Sequence, residues 1–173
     1  LSHTHAKRAV LEALRSLQRR SLLETYTPAG EGSAFGLQNV VTEYLTDVLI
    51  TQICQEVRQG QPTLLHSHPL LKVRAQEYIR QSQVRILLQP IGERLLSTLG
   101  RLGLATRSQQ LLATARREQP RQPSFLAGNL LNLLLHLGFD LQGYDFSNLC
   151  VWQAYLQGAT LREVNFSNTD LAQ

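Results

Sequence analysis

This sequence of 173 residues contains no methionine and no apolar run of the roughly 18 residues that a membrane span requires. The nearest approach is the range 125–137, which Gly128, Asn129, Asn132 and His136 interrupt. We therefore predict no membrane span. The N-terminus, Leu-Ser-His-Thr-His, lacks both an apolar h-region and a small-residue cleavage site, so no secretory signal is predicted. Because an initiator Met is absent, we expect an internal fragment or a processed product.

Cysteine and lysine are both scarce, with two residues of each type. Cys54 and Cys150 lie about a hundred positions apart, which is not a disulfide framework, so we predict small buried side chains in a reducing cytoplasm. Lys7 and Lys72 follow no glycine loop, whereas a P-loop needs backbone amides and a lysine around phosphate. No nucleophile elbow is present either. The sequence predicts neither an enzyme nor a bound cofactor.

Charge is sparse, at 17% of residues, and unevenly distributed. Residues 1–136 carry a net charge of +7 and residues 137–173 a net charge of −3. This change of sign indicates two modules and raises the hypothesis that the basic module binds nucleic acid. Its candidate phosphate contacts are Arg15, Arg19 and Arg20.

The first forty residues show the order helix, strand, loop, strand. Apolar residues at i, i+3, i+4 and i+7 predict an amphipathic helix over 6–20. Short strands are predicted at 21–24 and 34–38, on either side of a Pro- and Gly-containing loop at 28–33. This order is half of a winged helix, whose helix in other proteins enters a DNA major groove.

The middle of the chain reads as a series of helices. The helical period predicts helices at 39–60, 70–80, 83–99 and 102–117, with a kink at Pro90. A linker with two prolines, 118–123, follows. The range 125–137 is apolar nearly all round, as expected for a buried helix that caps the next module.

From Phe139 onward, large or aliphatic residues return every five positions over seven consecutive units. A short fixed period indicates one unit stacked on copies of itself. The predicted core of this repeat consists of Phe139, Leu141, Tyr144, Phe146, Leu149, Val151, Ala154, Leu156, Ala159, Leu161, Val164, Phe166 and Leu171. The acidic and amide side chains at 140, 145, 165 and 170 are expected to bind local backbone in turns.

Units such as Tyr144-Asp-Phe-Ser-Asn148 and Val164-Asn-Phe-Ser-Asn168 resemble the pentapeptide-repeat family. The resemblance implies a right-handed quadrilateral β-helix of under two coils, with one end either open or completed by sequence not present here. Together with the first part of the chain it predicts an α+β fold: a mostly helical N-terminal part with a winged-helix-like hairpin, then a β-helix capped by a helix. The predicted segments are a partial winged helix at 1–60, a helical region at 61–122, a capping helix at 123–138 and repeats at 139–173.

A second resemblance covers essentially the whole chain. Three stretches, 14–24, 35–47 and 78–90, together with Gly128-Asn-Leu-Leu-Asn132 and Val151-Trp-Gln-Ala-Tyr-Leu-Gln157, resemble bacterial STAND-class NTPases of the NACHT or NB-ARC type. In them a winged helix is followed by helices, a few pentapeptide units and WD repeats. The resemblance implies a cytoplasmic connector whose partners are an upstream nucleotide-binding domain and downstream WD repeats of the same polypeptide.

Two pairs of histidines raise the question of a metal site. The pairs His3 with His5 and His66 with His68 have a spacing that allows metal binding, but no Cys, Asp or Glu is near either pair, so no metal site is predicted. We expect a non-catalytic regulatory module for signal transduction through protein–protein contacts. A nucleic-acid-binding winged-helix protein and an adaptor that dimerises through the open end of the solenoid are the alternatives.

Overall fold

The computed structural model of the chain describes residues 2–26 and 34–171, with side chains at 9–25 and 34–171. Its contacts divide the chain into two compact units, Leu1–Val48 and Leu49–Gln173. The four segments predicted from the sequence stay a prediction. In the described ranges no helix combines the length and the apolar character that a membrane span would need.

The first unit contains a helix and an antiparallel hairpin. Helix α1 (Ser2–Arg19) is followed by β1 (Leu23–Tyr26) and β2 (Ala34–Leu37), which pair with Leu23 opposite Leu37. Ser21 adopts a positive φ of 56° just after α1, the left-handed conformation that commonly ends a helix. The predicted helix and both strands are confirmed; the helix begins four residues earlier than predicted, and the other ends agree within two residues. The predicted loop 28–33 lies outside the described residues.

Helix α2 (Asn39–Gln59) follows and includes the boundary between the two units. It ends at Gly60, which has a φ of 80° and whose amide binds the carbonyl of Glu56. The predicted helix 39–60 is confirmed, and its stop is the positive-φ glycine that such helix ends favour. A short helix α3 (Thr63–Ser67) begins the remainder of the second unit.

The helix predicted at 70–80 is wrong for its first half, because residues 68–76 are not helical. Helix α4 begins only at Glu77 and ends at Gln83. Pro69 disfavours helical backbone in the residue before it. The amides of Leu70, Lys72 and Val73 are bound instead by side chains distant in the sequence.

The predicted distortion near Pro90 takes the form of a π-helical turn, Val84–Leu88, directly before it. The amide of Gln89 binds the carbonyl of Val84. Helix α5 (Gln89–Glu118) then has Pro90 in its first turn, where a missing amide costs least, and is interrupted at Gly100, with φ 68° and ψ 171°. The helices predicted at 83–99 and 102–117 are confirmed, and the structure joins them across the interruption at Gly100.

Helix α6 (Leu126–His136) confirms the buried helix predicted at 125–137, since every residue from Leu126 to Leu134 is buried. It packs against α3 and α5. It also contributes much of the core of the second unit, whose fully buried large side chains include Ile53, Leu65, Leu88, Ile91, Leu95, Leu104, Leu112, Leu126, Leu130, Leu131, Leu133 and Phe146.

The predicted β-helix is wrong, and so is the α+β class. Among the described residues the structure is mostly helical, and its one sheet is the two-stranded hairpin. Residues 139–171 form a succession of turns with two isolated parallel bridges, Asp145 with Asn165 and Cys150 with Asp170. A turn in every five residues leaves too little extended backbone for strands, so the period describes turns and not a β-helical solenoid.

Candidate functional site

The residues predicted as the repeat core lie at different depths. Six are buried: Leu141, Tyr144, Phe146, Leu149, Val151 and Ala154. Another six are partly buried: Phe139, Leu156, Ala159, Leu161, Val164 and Phe166. Leu171 is exposed to 50%. Burial therefore decreases along the segment, and its first half carries the packing against the rest of the second unit.

An aromatic stack lies at the centre of this segment. The ring of Phe146 stacks on that of Phe166 at 5.4 Å and on that of Tyr144 at 6.3 Å between centroids. The amide of Phe146 also binds the carbonyl of Asn165 at 2.8 Å. Residues twenty positions apart are thus held together by both rings and backbone.

The acidic and amide side chains of the segment mostly bind local backbone, as predicted. Asp140, Asp145 and Asn165 each accept a hydrogen bond from the amide two positions later. Asp170 instead accepts one from the indole nitrogen of Trp152 at 2.9 Å. Burial alone would raise the pKa of Asp145, but hydrogen bonds from Ser147 and the charge of Arg116 lower it below its usual range.

Helix α6 is hydrogen-bonded to residues 65–70 through Asn129 and to residues 153–155 through Asn132. We refer to these two asparagines and Gly128, which allows the close approach of the chain, as the polar clamp. The side chain of Asn129 accepts from the amide of Leu70 and donates to the carbonyls of Leu65 and His68, at 2.8 to 2.9 Å. Both Asn129 and Asn132 are buried. Such groups are costly to bury unless every hydrogen bond is made, so the clamp fixes the path of residues 65–70.

The other half of the clamp fixes the C-terminal segment. Asn132 donates to the carbonyl of Gln153 and accepts from the amide of Tyr155, both at 2.8 Å. A Cβ atom placed on Gly128 would lie 1.9 Å from the carbonyl oxygen of Trp152. Only glycine permits this approach of α6 to the chain at Trp152. Two of the sequence stretches that carried the family resemblance, 128–132 and 151–157, are therefore packed against each other.

The same segment also holds the irregular loop 68–76. The side-chain oxygen of Gln153 accepts from the amide of Val73 at 2.8 Å. Arg80 donates to the carbonyls of Val73 and Ala75, and its guanidinium lies 5.0 Å from the centroid of the Tyr155 ring. Helix α4, the loop and the C-terminal segment are thus connected by one network of polar contacts.

The histidine pair His66 and His68 is occupied by hydroxyl partners. Nδ1 of His66 lies 2.8 Å from Oγ of Ser124, and Nδ1 of His68 lies 2.8 Å from Oγ of Ser67. Burial lowers the pKa of His66, and the carboxylate of Glu56 opposes part of this shift. Across the described ranges no group of three or more His, Cys, Asp or Glu side chains is placed to hold a metal ion. The side chains of His3 and His5 lie outside the described residues.

Both cysteines are buried and free, as predicted. Burial raises the pKa of the Cys54 thiol, with a partial opposing effect of Arg94 and Arg58. Burial also raises the pKa of the Cys150 thiol, whose sulfur donates to the carbonyl of Arg121 at 3.4 Å. Thiols in such surroundings act as small packing groups.

The first unit presents the most apolar surface among the described residues. Among the described residues of this unit, Leu23 is the one buried hydrophobic residue. Nine large hydrophobic side chains of the unit are exposed: Val10, Leu11, Leu17, Phe35, Leu37, Val40, Tyr44, Leu45 and Val48. Arg15, Arg19 and Arg20 are exposed on or just after α1. Exposed apolar surface beyond single scattered residues is typical of interaction sites in proteins.

Comparison with known proteins gives one similar sequence. The chain is 36% identical to an uncharacterized WD repeat-containing protein of Nostoc sp., in an alignment 199 positions long that covers 95% of this chain and 15% of the relative. The chain therefore spans about 15% of the length of that relative. No family model matches the chain. No solved structure matches it.

This relative confirms the predicted connection with WD repeat proteins. Similarity to a WD repeat-containing protein is compatible with a protein-interaction module. Its name mentions neither a nucleotide-binding domain nor pentapeptide repeats, so the upstream nucleotide-binding partner stays a prediction.

Proposed function

We propose that this chain is a non-catalytic connector of a larger signalling protein with WD repeats, and that it acts through contacts with other domains of the same polypeptide. The observation that carries the proposal is the apolar surface of the first unit. An independently stable domain of this size buries most of its large hydrophobic side chains, because apolar burial supplies the main favourable free energy of folding. The first unit exposes nine of them.

The second unit supports the same function in a different way. Its polar clamp ties helix α6, the loop 68–76 and residues 153–155 together through buried hydrogen bonds. A connector needs one part that binds a neighbouring domain and another part whose structure stays fixed. The proposed partners are the upstream nucleotide-binding domain and the downstream WD repeats. Because this chain aligns with 15% of the relative, that protein is long enough to contain such domains.

The test compares this chain alone with the natural polypeptide in which it occurs. Amide hydrogen exchange over residues 39–48 should be slower in the natural polypeptide, because a docked domain excludes water and restrains local opening. Exchange over residues 126–134, which are already buried, should change little. Equal exchange of residues 39–48 in both samples would refute the proposal.

Nucleic-acid binding is the second candidate, favoured by the exposed cluster Arg15, Arg19 and Arg20 on a helix next to a hairpin. Phosphate neutralisation would make binding depend steeply on salt. A mobility shift with duplex DNA at low salt tests this candidate, with the triple change of these residues to Gln as the control. The absence of a shift at low salt would remove it.

A further inference from the structure

A cavity of about 660 Å³ lies in the second unit, between the π-helical turn, the end of α6 and the segment 139–171. The π-helical turn contributes Val84 and Leu88 to its lining, α6 contributes Leu135, and the segment contributes Phe139 and Tyr155. This volume falls within the range of about 300–1,000 Å³ that is typical of small-molecule sites. Turns of π-helix also occur frequently at functional sites. We refer to this space as the α6 cavity.

The apolar part of the lining is held in place by packing. Leu71 and Leu88 are buried members of the core cluster, and Val84, Leu135 and Phe139 are half-buried and pack against that cluster. Side chains packed in this way keep their positions without a ligand. A hydrocarbon body that covers them would be removed from water, and this burial favours binding.

Two aromatic rings line the α6 cavity, and each of them already contacts a cation in the structure. The guanidinium of Arg80 lies 5.0 Å from the centroid of the Tyr155 ring, and that of Arg101 lies 4.1 Å from the centroid of the Phe139 ring. Neither arginine belongs to the lining of this cavity. Aromatic rings attract organic cations through the negative potential of their faces. A ligand in the cavity therefore meets aromatic surface that favours a positive charge.

The charge of the lining has the same preference. Among the described residues that line the cavity, Asp140 is the one carboxylate, and none is a lysine or an arginine. Oδ1 of Asp140 accepts a hydrogen bond from the amide of Gln142 at 3.0 Å, and no described lysine or arginine forms an ion pair with this carboxylate. One full negative charge at the edge of an apolar cavity complements a ligand with one positive charge.

We propose that the α6 cavity binds a small organic ammonium, whose apolar body lies on the leucines and aromatic rings and whose charged group lies beside Asp140. The inference goes beyond the proposed function, because it gives the connector a small-molecule site in the second unit, whereas the proposed docking surface belongs to the first.

The experiment titrates the isotope-labelled 173-residue chain with 4-phenylbutylamine, 4-phenylbutanol and 4-phenylbutyrate. These probes share a phenylalkyl body and differ in charge. The solution is held at pH 7.5, where an ordinary imidazole is largely neutral, because His136 also lines the cavity. Amide chemical shifts of residues 136–140 and 155–160 measure binding. The amine should bind about threefold more tightly than the alcohol, as expected for one partly exposed charge pair, and the carboxylate should bind most weakly.

Three variants locate the site. Asp140→Asn keeps an acceptor for the amide of Gln142, but it should remove the preference for the amine over the alcohol. Glu163→Gln is the matched control, since it removes a carboxylate of the same segment that does not line the cavity, and it should leave the preference unchanged. Ala159→Leu places additional carbon atoms in the cavity and should weaken binding of all three probes severalfold. The amide spectrum of each variant also shows whether it is folded.

Three results would overturn the inference. The first is equal affinity for the three probes. The second is a preference for the amine that survives in Asp140→Asn. The third is tighter binding of the carboxylate, which Arg85 would favour from a smaller cavity of about 200 Å³ that shares Tyr155 with the α6 cavity.

A lysine side chain of a neighbouring domain would present the same ammonium group, so the amine is also tested on the natural polypeptide by equilibrium dialysis. Binding there that Asp140→Asn removes supports a small-molecule ligand. Binding to the 173-residue chain but not to the natural polypeptide would show that another part of the polypeptide fills the cavity, and would overturn the inference. None of these results depends on the exchange of residues 39–48, so a failure here leaves the proposed function in place.

Discussion

Gly128 sets the distance between α6 and the C-terminal segment. A methyl group at this position would overlap the carbonyl oxygen of Trp152 at 1.9 Å, and that oxygen belongs to backbone that cannot rotate away. The physical consequence of any larger residue is a displacement of α6 or of residues 151–155. This displacement would also disturb Asn132, which binds the adjoining residues.

We therefore expect Gly128→Ala to destabilise the chain by about 2 kcal/mol or more, as for overpacked cores. Urea unfolding followed by fluorescence of Trp152, the one tryptophan, measures the change. Gly103→Ala in α5 is the matched control, because a Cβ there meets only the side chain of Leu99 at 3.3 Å. An effect of Gly128→Ala no larger than that of the control would contradict the close approach.

The lowered pKa of His66 predicts that the free energy of unfolding depends on pH. Burial lowers the pKa of His66 in the folded state, so the unfolded chain takes up the proton at a higher pH than the folded chain does. Stability is then fully present above the unfolded pKa of about 6.5 and decreases as the pH falls through and below it.

We expect the urea midpoint to decrease between pH 7.5 and pH 5, and the variant His66→Asn to show a smaller decrease over the same window. Equal decreases in both proteins would show that His66 does not carry the effect. The other ionisable groups are common to both proteins and therefore cancel in the comparison.

At the scale of the element, α6 organises the second unit because its polar residues are used for structure. Asn129 satisfies three backbone groups in residues 65–70, which have no helical partner of their own. An apolar helix with two buried amides can both fill a core and fix two loops. In the sequence, this helix therefore has the apolar pattern of a buried helix, and its two asparagines interrupt that pattern.

Asn129→Ala should cost about 3 kcal/mol or more, since it leaves several buried backbone groups without partners. Chemical denaturation measures the loss. Gln110→Ala, at an exposed amide on α5, is the matched control and should change stability by no more than about 0.5 kcal/mol. Similar values for the two variants would show that the hydrogen bonds of Asn129 contribute little.

The turn-rich segment 139–171 depends on its aromatic stack. Phe146 is fully buried, between the rings of Tyr144 and Phe166. We expect Phe146→Ala to destabilise by about 3 to 5 kcal/mol, the range for truncated core aromatics. Leu171→Ala, at an exposed position of the same segment, should have an effect near zero. A cooperative melt of the Phe146 variant close to wild type would contradict the inward placement.

At the scale of the whole molecule, the two units differ in how much apolar surface they bury. The core cluster lies in the second unit, whereas the described part of the first buries Leu23. Stability follows buried apolar area, so the first unit should open at a lower denaturant concentration.

This difference predicts two transitions in urea. Trp152 lies in the second unit, so its fluorescence reports that unit, while far-ultraviolet circular dichroism reports the helices of both. We expect the circular dichroism to begin to change before the fluorescence does. Coincident curves would show that the units unfold together.

The sequence by itself determined the features that depend on nearest neighbours along the chain. The 3.6-residue period located α1, α2 and α5, and a nearly continuous apolar range located α6. The glycines and prolines located the hairpin and several helix ends, and the absence of a glycine loop beside Lys7 and Lys72 argued against a nucleotide site. The link to WD repeat proteins also followed from sequence phrases and is supported by the Nostoc relative.

Only the tertiary structure decided how distant backbone groups are satisfied. Residues 70–76 have a helix-like pattern, yet side chains of Asn129, Gln83 and Gln153 bind their amides and hold them out of a helix. The residues with the five-residue period likewise form turns and two isolated bridges instead of strands. Regular strands need continuous extended backbone, and closely spaced turns interrupt it. A period shows which side chains share a face, but the partners of the backbone come from elsewhere in the chain.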